Sequence, residues 1–350
     1  MRFLTRKKSA LAIILAVAMC FTFASCQNEP AEKEVYKLDL AHFFPGTHPA
    51  ETVFVQGWIE AISEATDGQV EITSYPGGTL LPANETYGGV VDGVADIGLS
   101  CFAYTRGRFP VLEAFELPGV TYNNSKVASM VAWEGIQELN PEEVQDTKLM
   151  MVIATGPGDL FTKEPVRSID DMQGLEIRAT GLSAKTIEML GGTPVGMAQS
   201  ETYEALQKGI VKGNLSPIEV LKGWNHGEIT KYVTRTPFLY NTLFFVTMNL
   251  DSWNEIPEDL QTKILDATKK FHEEVGIGLW DMQNEGAYTW AVDEQGIEFI
   301  DLSDEQKALW IEKVMPVQAD FEASLDELGI DEDVLEVVNR LADKYNKEYE

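Results

Sequence analysis

The usual catalytic constellations are missing from this chain. Its four histidines, His42, His48, His226 and His272, include no pair at metal spacing with a cysteine and no H-E-x-x-H, and phosphate-cradling glycine patterns and G-x-S-x-G are absent too. No metal or cofactor is expected. With 56 aspartates and glutamates an acid pair assembled by folding stays open, but at that density chance proximity is the default. Cys101, alone behind a strand, reads first as a small buried packing residue and only second as a nucleophile. Arg178 is different. In SIDDMQGLEIRATG (168–181) it directly follows the alternating run Leu175-Glu176-Ile177. A side chain at a strand end can point into a crevice, and a guanidinium is shaped to grip a carboxylate with two parallel hydrogen bonds. The other reading is a surface ion pair, the fate of most arginines.

Several further strand ends carry turn or aromatic residues: Phe43-Phe44-Pro45-Gly46, Tyr75-Pro76-Gly77-Gly78, Ser100-Cys101-Phe102-Ala103-Tyr104, Thr155-Gly156-Pro157-Gly158 and Leu215-Ser216-Pro217. In open α/β sheets ligands bind beyond the carboxyl ends of strands, where loop and helix N–H groups converge. Such loops with aromatics and one cation suit a small anion.

The elements that must position these residues read as α/β. Tyr36 to His42 alternates, Thr47-His48-Pro49 starts a helix running to Thr66, and Gln69 to Tyr75 alternates again, which is a parallel strand–helix–strand unit. A helix over Ala83 to Val94 leads to a strand at Asp96 to Ser100. A second series follows: a strand at Lys148 to Thr155, Leu175 to Arg178, a helix from Leu182 to Leu190, a strand from Thr193 to Met197 and a helix capped by Ser200. Leu243 to Asn249 is too apolar for an edge strand and is expected to return to the first lobe. From Pro257, Leu260, Ile264, Ala267, Phe271, Val275, Leu279 and Met282 fall at three- and four-residue steps and predict one long helix able to bridge both lobes. Beyond Ser303 two amphipathic helices are expected, broken at Gly329.

The first 26 residues carry four cations (Arg2, Arg6, Lys7, Lys8), an apolar stretch from Ala10 to Phe21, and Phe23-Ala24-Ser25-Cys26. This is an export signal ending in a lipobox-like sequence, with Cys26 as the lipid site; an uncleaved anchor is the alternative, although the run is short for a span of about 20 residues. Residues 27–35 read as a flexible tether. Removing the signal takes the formal charge from −29 to −33, because four positive and no negative charges leave. Such a surface repels nucleic acid. With Cys20 in the signal and Cys26 at the lipid site, Cys101 is left alone and no intramolecular disulfide is possible.

The sequence resembles the extracytoplasmic solute-binding proteins of tripartite ATP-independent periplasmic (TRAP) transporters, DctP type. The stretches that carry the resemblance are LAHFFPGTHP (40–49), EATDGQVEITSYPGGTL (64–80), GVADIGLSCFAYTRGRFPVLEAFELPG (93–119), SIDDMQGLEIR (168–178), LGGTPVGMAQSETYEALQKGIVKG (190–213) and MNLDSWNEIPEDLQTKI (248–264). It implies a two-lobed periplasmic-binding-protein-like α/β fold with an interlobe cleft: lobe I at 36–154 with 243–278 returning to it, lobe II at 155–242 with 279–328 packing across both, and a C-terminal helix at 329–350. It also implies that Arg178 pairs with a substrate carboxylate, with Phe44, Ser100, Cys101, Tyr104, Gly158, Gln199, Ser216, Tyr240 and Asn241 as further pocket positions. Some members, notably sialic-acid binders, carry a second cleft arginine where this chain has Gly156-Pro157-Gly158-Asp159, which argues against that ligand. Where many members read V-D-G, this chain has Val211-Lys212-Gly213, in which Lys212 supplies either a second cation for the site or a solvated surface charge, the second reading being preferred. The implied partners are a small organic acid, the TRAP membrane permease, and a membrane reached through the N-terminal lipid. The chain is then a monomer outside the cytoplasm, in the periplasm or on the outer face of the cell membrane. The competing reading is an exported, lipid-anchored hydrolase using cleft carboxylates.

Overall fold

The computed structural model describes residues 34–330 and 333–349; the expected signal with Cys26, and the tether as far as residue 33, lie outside the described residues. The alternating segments Tyr36–His42 (β1) and Val70–Tyr75 (β2) pair in parallel, and β1 also pairs in parallel with Ile97–Cys101 (β3). Lys148–Ala154 (β4) completes this side of the protein, with Leu243–Met248 (β10) inserted antiparallel between β3 and β4. The resulting order is β2-β1-β3-β10-β4. All six residues of β10 are buried, which explains why LFFVTM has no polar alternation: helices cover both faces of the strand.

The second sheet takes Asp159–Thr162 (β5), Glu176–Arg178 (β6), Thr193–Val195 (β7), Gly213–Ser216 (β8), Tyr232–Arg235 (β9) and Glu298–Asp301 (β11), in the order β11-β9-β5-β8-β6-β7. The protein is thus an α/β fold of two lobes.

Two segments cross between the sheets, one from β4 to β5 and one from β9 to β10, and they lie side by side. Thr155 N–H donates to Thr242 O at 3.0 Å, Gly158 N–H to Tyr240 O at 3.1 Å, and Gly156 N–H to the Asn241 side-chain oxygen at 3.1 Å. Gly156 has φ +71, and a Cβ there would meet the Ser125 backbone nitrogen at 2.6 Å, so only glycine fits this crossing.

The apolar steps from Leu260 to Met282 do not form one helix. The segment runs as Glu258–Glu274, one 3-10 turn over Gly276–Gly278, and Leu279–Asp293. Two glycines lower the helical propensity at the joint, and Gly276 is pressed against Phe54 and Ile153, where a Cβ would sit 3.4 and 3.6 Å from their side chains. The break resets the phase, so Trp280 is buried while Met282 faces solvent. The second segment still touches both lobes: Asp281 accepts the Ser125 and Lys126 N–H groups at 2.8 and 3.0 Å, capping the helix Ser125–Leu139, and Asn284 accepts the Glu219 N–H at 2.9 Å.

The tail has three described helices rather than two, Asp304–Val314, Pro316–Leu328 and Val334–Glu348, because Pro316 opens a new helix before Gly329 closes it at φ +72. Other boundaries move by a few residues. The helix expected over Ala83 to Val94 is confined to Thr86–Val91, and the one expected to be capped by Ser200 spans Gln199–Lys208, with Ala198 at the cap position and its N–H held by Glu201 at 3.1 Å.

Candidate functional site

Strand β6 ends at Arg178, whose side chain is 2% exposed. Its guanidinium donates through Nε to Met197 O at 3.1 Å, through Nη1 to Ser216 Oγ at 3.3 Å and through Nη2 to Tyr104 OH at 3.3 Å. All three partners are neutral. A guanidinium carries five N–H donors, so one on each terminal nitrogen has no acceptor among the described residues. No ion pair joins Arg178 to any described carboxylate. The cation lowers the pKa of the buried His226 ring to about 3, after burial itself as the larger cause, so His226 adds no second charge here.

Tyr104 comes from the opposite side, one turn beyond β3. Its hydroxyl accepts from Arg178 and also from Gln199 N–H at 3.0 Å, so the first lobe reaches across to the start of a second-lobe helix. Burial is the main cause that raises both the Tyr104 and the Tyr240 hydroxyls above the ordinary phenol range, with the Arg178 charge acting in the other direction. The Cys101 thiol is likewise pushed well up by burial, which leaves it a neutral packing group rather than a nucleophile.

These groups border one narrow cavity, with about 20 Å³ of room for water-sized molecules. Of the residues singled out by sequence, Arg178, Phe44, Cys101, Tyr104, Gln199, Ser216 and Tyr240 line it. Three do not. The Ser100 hydroxyl donates to Ala83 O at 2.8 Å on the far side of the strand, since neighbouring residues of a strand face opposite ways. Asn241 spends its side chain on Gly156 N–H and on Phe115 O, bracing the crossing segments. Gly158 lies behind the wall, where a Cβ would come within 2.3 Å of the Tyr240 ring. Lys212 is exposed and donates to Gly209 O at 2.9 Å.

Sequence reasoning named Phe43 and Phe44 as aromatics of a strand-end loop but missed Trp224 and Phe244 in the rest of the apolar lining. Phe43 and Phe44 stack at 4.3 Å; Phe43 faces Trp224 at 6.0 Å, nearly parallel, and meets Tyr104 edge-on at 5.5 Å. Phe244 of β10 and Trp224 also border the cavity, as does Glu219, which lies 3.2 Å from His48. Trp224 and Glu219 follow β8 in a stretch without punctuation. Only the proximity of Pro217 to a strand end hinted at them.

The sequence matches the profile of bacterial extracellular solute-binding protein family 7 (DctP) over residues 40–324. It is similar to the C4-dicarboxylate-binding periplasmic protein DctP of Rhodobacter capsulatus, 26% identical over 266 residues that cover 74% of this chain and 78% of the relative. Among solved structures, a TRAP periplasmic solute-binding protein from Desulfovibrio salexigens, in an open complex, is 36% identical with TM-score 0.76, covering 90% of this chain and 97% of that one. A marine metagenome TRAP solute-binding protein specific for aromatic acid ligands, in complex with metahydroxyphenylacetate, is 28% identical with TM-score 0.83, covering 89% and 99%.

Proposed function

The chain belongs to bacterial extracellular solute-binding protein family 7 and is a TRAP-type extracytoplasmic solute-binding protein; from that premise we propose that it captures a small aromatic or apolar monocarboxylate in the cavity at Arg178. The observation that carries this reading is the buried guanidinium with one spare donor on each terminal nitrogen and no carboxylate beside it. Burying a charge without a counter-charge costs several kcal/mol, and a ligand carboxylate bound by two parallel hydrogen bonds offsets that cost. Tyr104 OH accepts twice and keeps one proton to donate, which can leave the Cys101 sulfur for the same ligand oxygen. The stacked Phe43 and Phe44 facing Trp224 offer flat apolar walls to the ligand body. Among the described residues no second arginine lines the cavity, which favours one carboxylate over two.

Capture proceeds by closure. The crossing segments are the hinge, and the Tyr104 bonds to Arg178 and Gln199 fasten one lobe to the other, so a ligand touching both binds the closed form more tightly and shifts the population. The closed protein then delivers its acid to a TRAP permease, held near the membrane by a lipid on Cys26. No covalent chemistry is involved. Native mass spectrometry of freshly purified protein tests the reading. An acid recovered intact supports it, whereas turnover products would favour the lipid-anchored hydrolase.

A further inference from the structure

Two histidine–glutamate pairs flank the Phe43-Phe44 loop, and they are built alike. In the first, Phe44 N–H donates to His42 Nδ1 at 3.2 Å, so the ring proton sits on Nε2 and points to Glu51 Oε2 at 2.7 Å. Glu51 is then completed by Ser74 Oγ on Oε2 at 2.9 Å and by Gln56 Nε2 on Oε1 at 2.7 Å. In the second, Ala50 N–H donates to His48 Nδ1 at 3.0 Å, which again leaves the proton on Nε2, and it points to Glu219 Oε2 at 3.2 Å. Here the completion is missing. Glu219 Oε1 has no donor among the described residues, no lysine or arginine pairs with Glu219, and the residue is 4% exposed. A Cβ on Gly223 would strike both Glu219 Oε2 and His48 Nε2 at 2.7 Å, so the pair is held tightly from that side. Unlike Glu51, Glu219 borders the cavity that contains Arg178.

Glu219 Oε1 keeps some contact with solvent, and an acceptor oxygen that no protein group fills is open to a donor brought into the cavity by a ligand. The two polar ends of the cavity are separated by apolar wall: Arg178 bonds Tyr104, Tyr104 abuts Phe43, Phe43 stacks on Phe44, and Phe44 stacks on His48 at 4.9 Å. We propose that Glu219, oriented by His48, is a specificity-determining residue that accepts a hydrogen bond from a hydroxyl group on the ligand, at the end of the ligand remote from its carboxylate. The substrate class is then a hydroxylated aromatic monocarboxylate, with its acid at Arg178, its ring against the Phe43–Phe44 shelf and its phenol at Glu219. This rests on the carboxylate reading above. It adds a second polar anchor that an unsubstituted acid cannot use.

The test is titration calorimetry of the wild-type protein with phenylacetate, its 3- and 4-hydroxy derivatives and the two corresponding methyl ethers. At least one hydroxy derivative should bind about 10- to 100-fold more tightly than phenylacetate, as expected for a buried hydrogen bond to a charged group, and its methyl ether should lose that advantage. In Glu219→Gln the amide oxygen stays with the His48 N–H and an NH2 donor turns to the cavity. The hydroxyl advantage should therefore fall below about 3-fold while phenylacetate itself is little changed. Equal binding of hydroxylated and parent acids by wild type, or an advantage that survives methylation or Glu219→Gln, overturns the assignment while leaving Arg178 untouched. Binding of none of the acids overturns the carboxylate reading and this one with it.

Discussion

Arg178 and Arg235 end two strands of one sheet, β6 and β9, with β8 and β5 between them, and are treated in opposite ways. Arg235, at the end of β9, is partly exposed, 3.8 Å from the Asp301 carboxylate and stacked over the Tyr288 and Phe299 rings; nearby, Arg167 reaches Glu298 at 2.5 Å with both side chains half in water. Arg178, at the end of β6, is buried and meets only a hydroxyl, a phenol and a carbonyl. Where water already screens the charge, this acidic chain supplies a carboxylate, and where no water remains it withholds one. A site is therefore marked by burial without a counter-charge rather than by arginine itself.

The strongest way to break this contrast is Arg178→Ala, which should weaken aromatic acid binding by about 2 to 5 kcal/mol, roughly 30- to several thousand-fold, by calorimetry. Arg178→Lys should recover only part of the loss, because an ammonium cannot make the paired bonds.

Glu116 offers the mirror case, a buried carboxyl with no cation partner. It accepts the Leu243 N–H at 2.7 Å where β10 begins, and burial raises its pKa to about 8, with Glu113 pushing the same way. The folded state therefore keeps this proton where the unfolded chain has lost it. Stability should be greatest below the ordinary carboxyl pKa and fall as pH rises toward about 8, by an amount on the order of 3 kcal/mol. Glu116→Gln keeps an acceptor for Leu243 and should flatten that slope in urea unfolding followed from pH 5 to 8. An unchanged slope would assign it to other groups.

Within the seam, Gly158→Ala puts a methyl 2.3 Å from the Tyr240 ring and 3.0 Å from the Ser216 backbone. It should cost about 1 to 3 kcal/mol of stability in the same unfolding assay. At the other extreme, Arg235→Ala should change stability by about 1 kcal/mol or less and leave acid affinity unchanged. A large effect there would erase the distinction between the two arginines.

How much of this was legible in the sequence follows from the range of the signals involved. Strands β1 to β4 and the buried β10 are written in local alternation or unbroken apolar runs, and Arg178 stands out because a cation ends such a run. The contrast between Ser100 and Cys101 was not readable: loop position brings both near the cavity, but the facing of the strand sends one hydroxyl to Ala83 and leaves the thiol on the lining. Nor was the break at Gly276–Gly278, because apolar spacing continued across it by coincidence. His48 and Glu219 are 171 residues apart, and only the topology of two sheets sharing a crossing brings them together. Pairings of that kind have no local trace.

The most direct measurement is titration calorimetry of wild-type protein with an aromatic acid and with its carboxamide, two ligands of nearly equal shape that differ in the charge offered to Arg178. The account predicts that the acid binds about 100-fold or more tightly than the amide, and that the gap closes in Arg178→Ala. Equal affinities for acid and amide in the wild-type protein would contradict it.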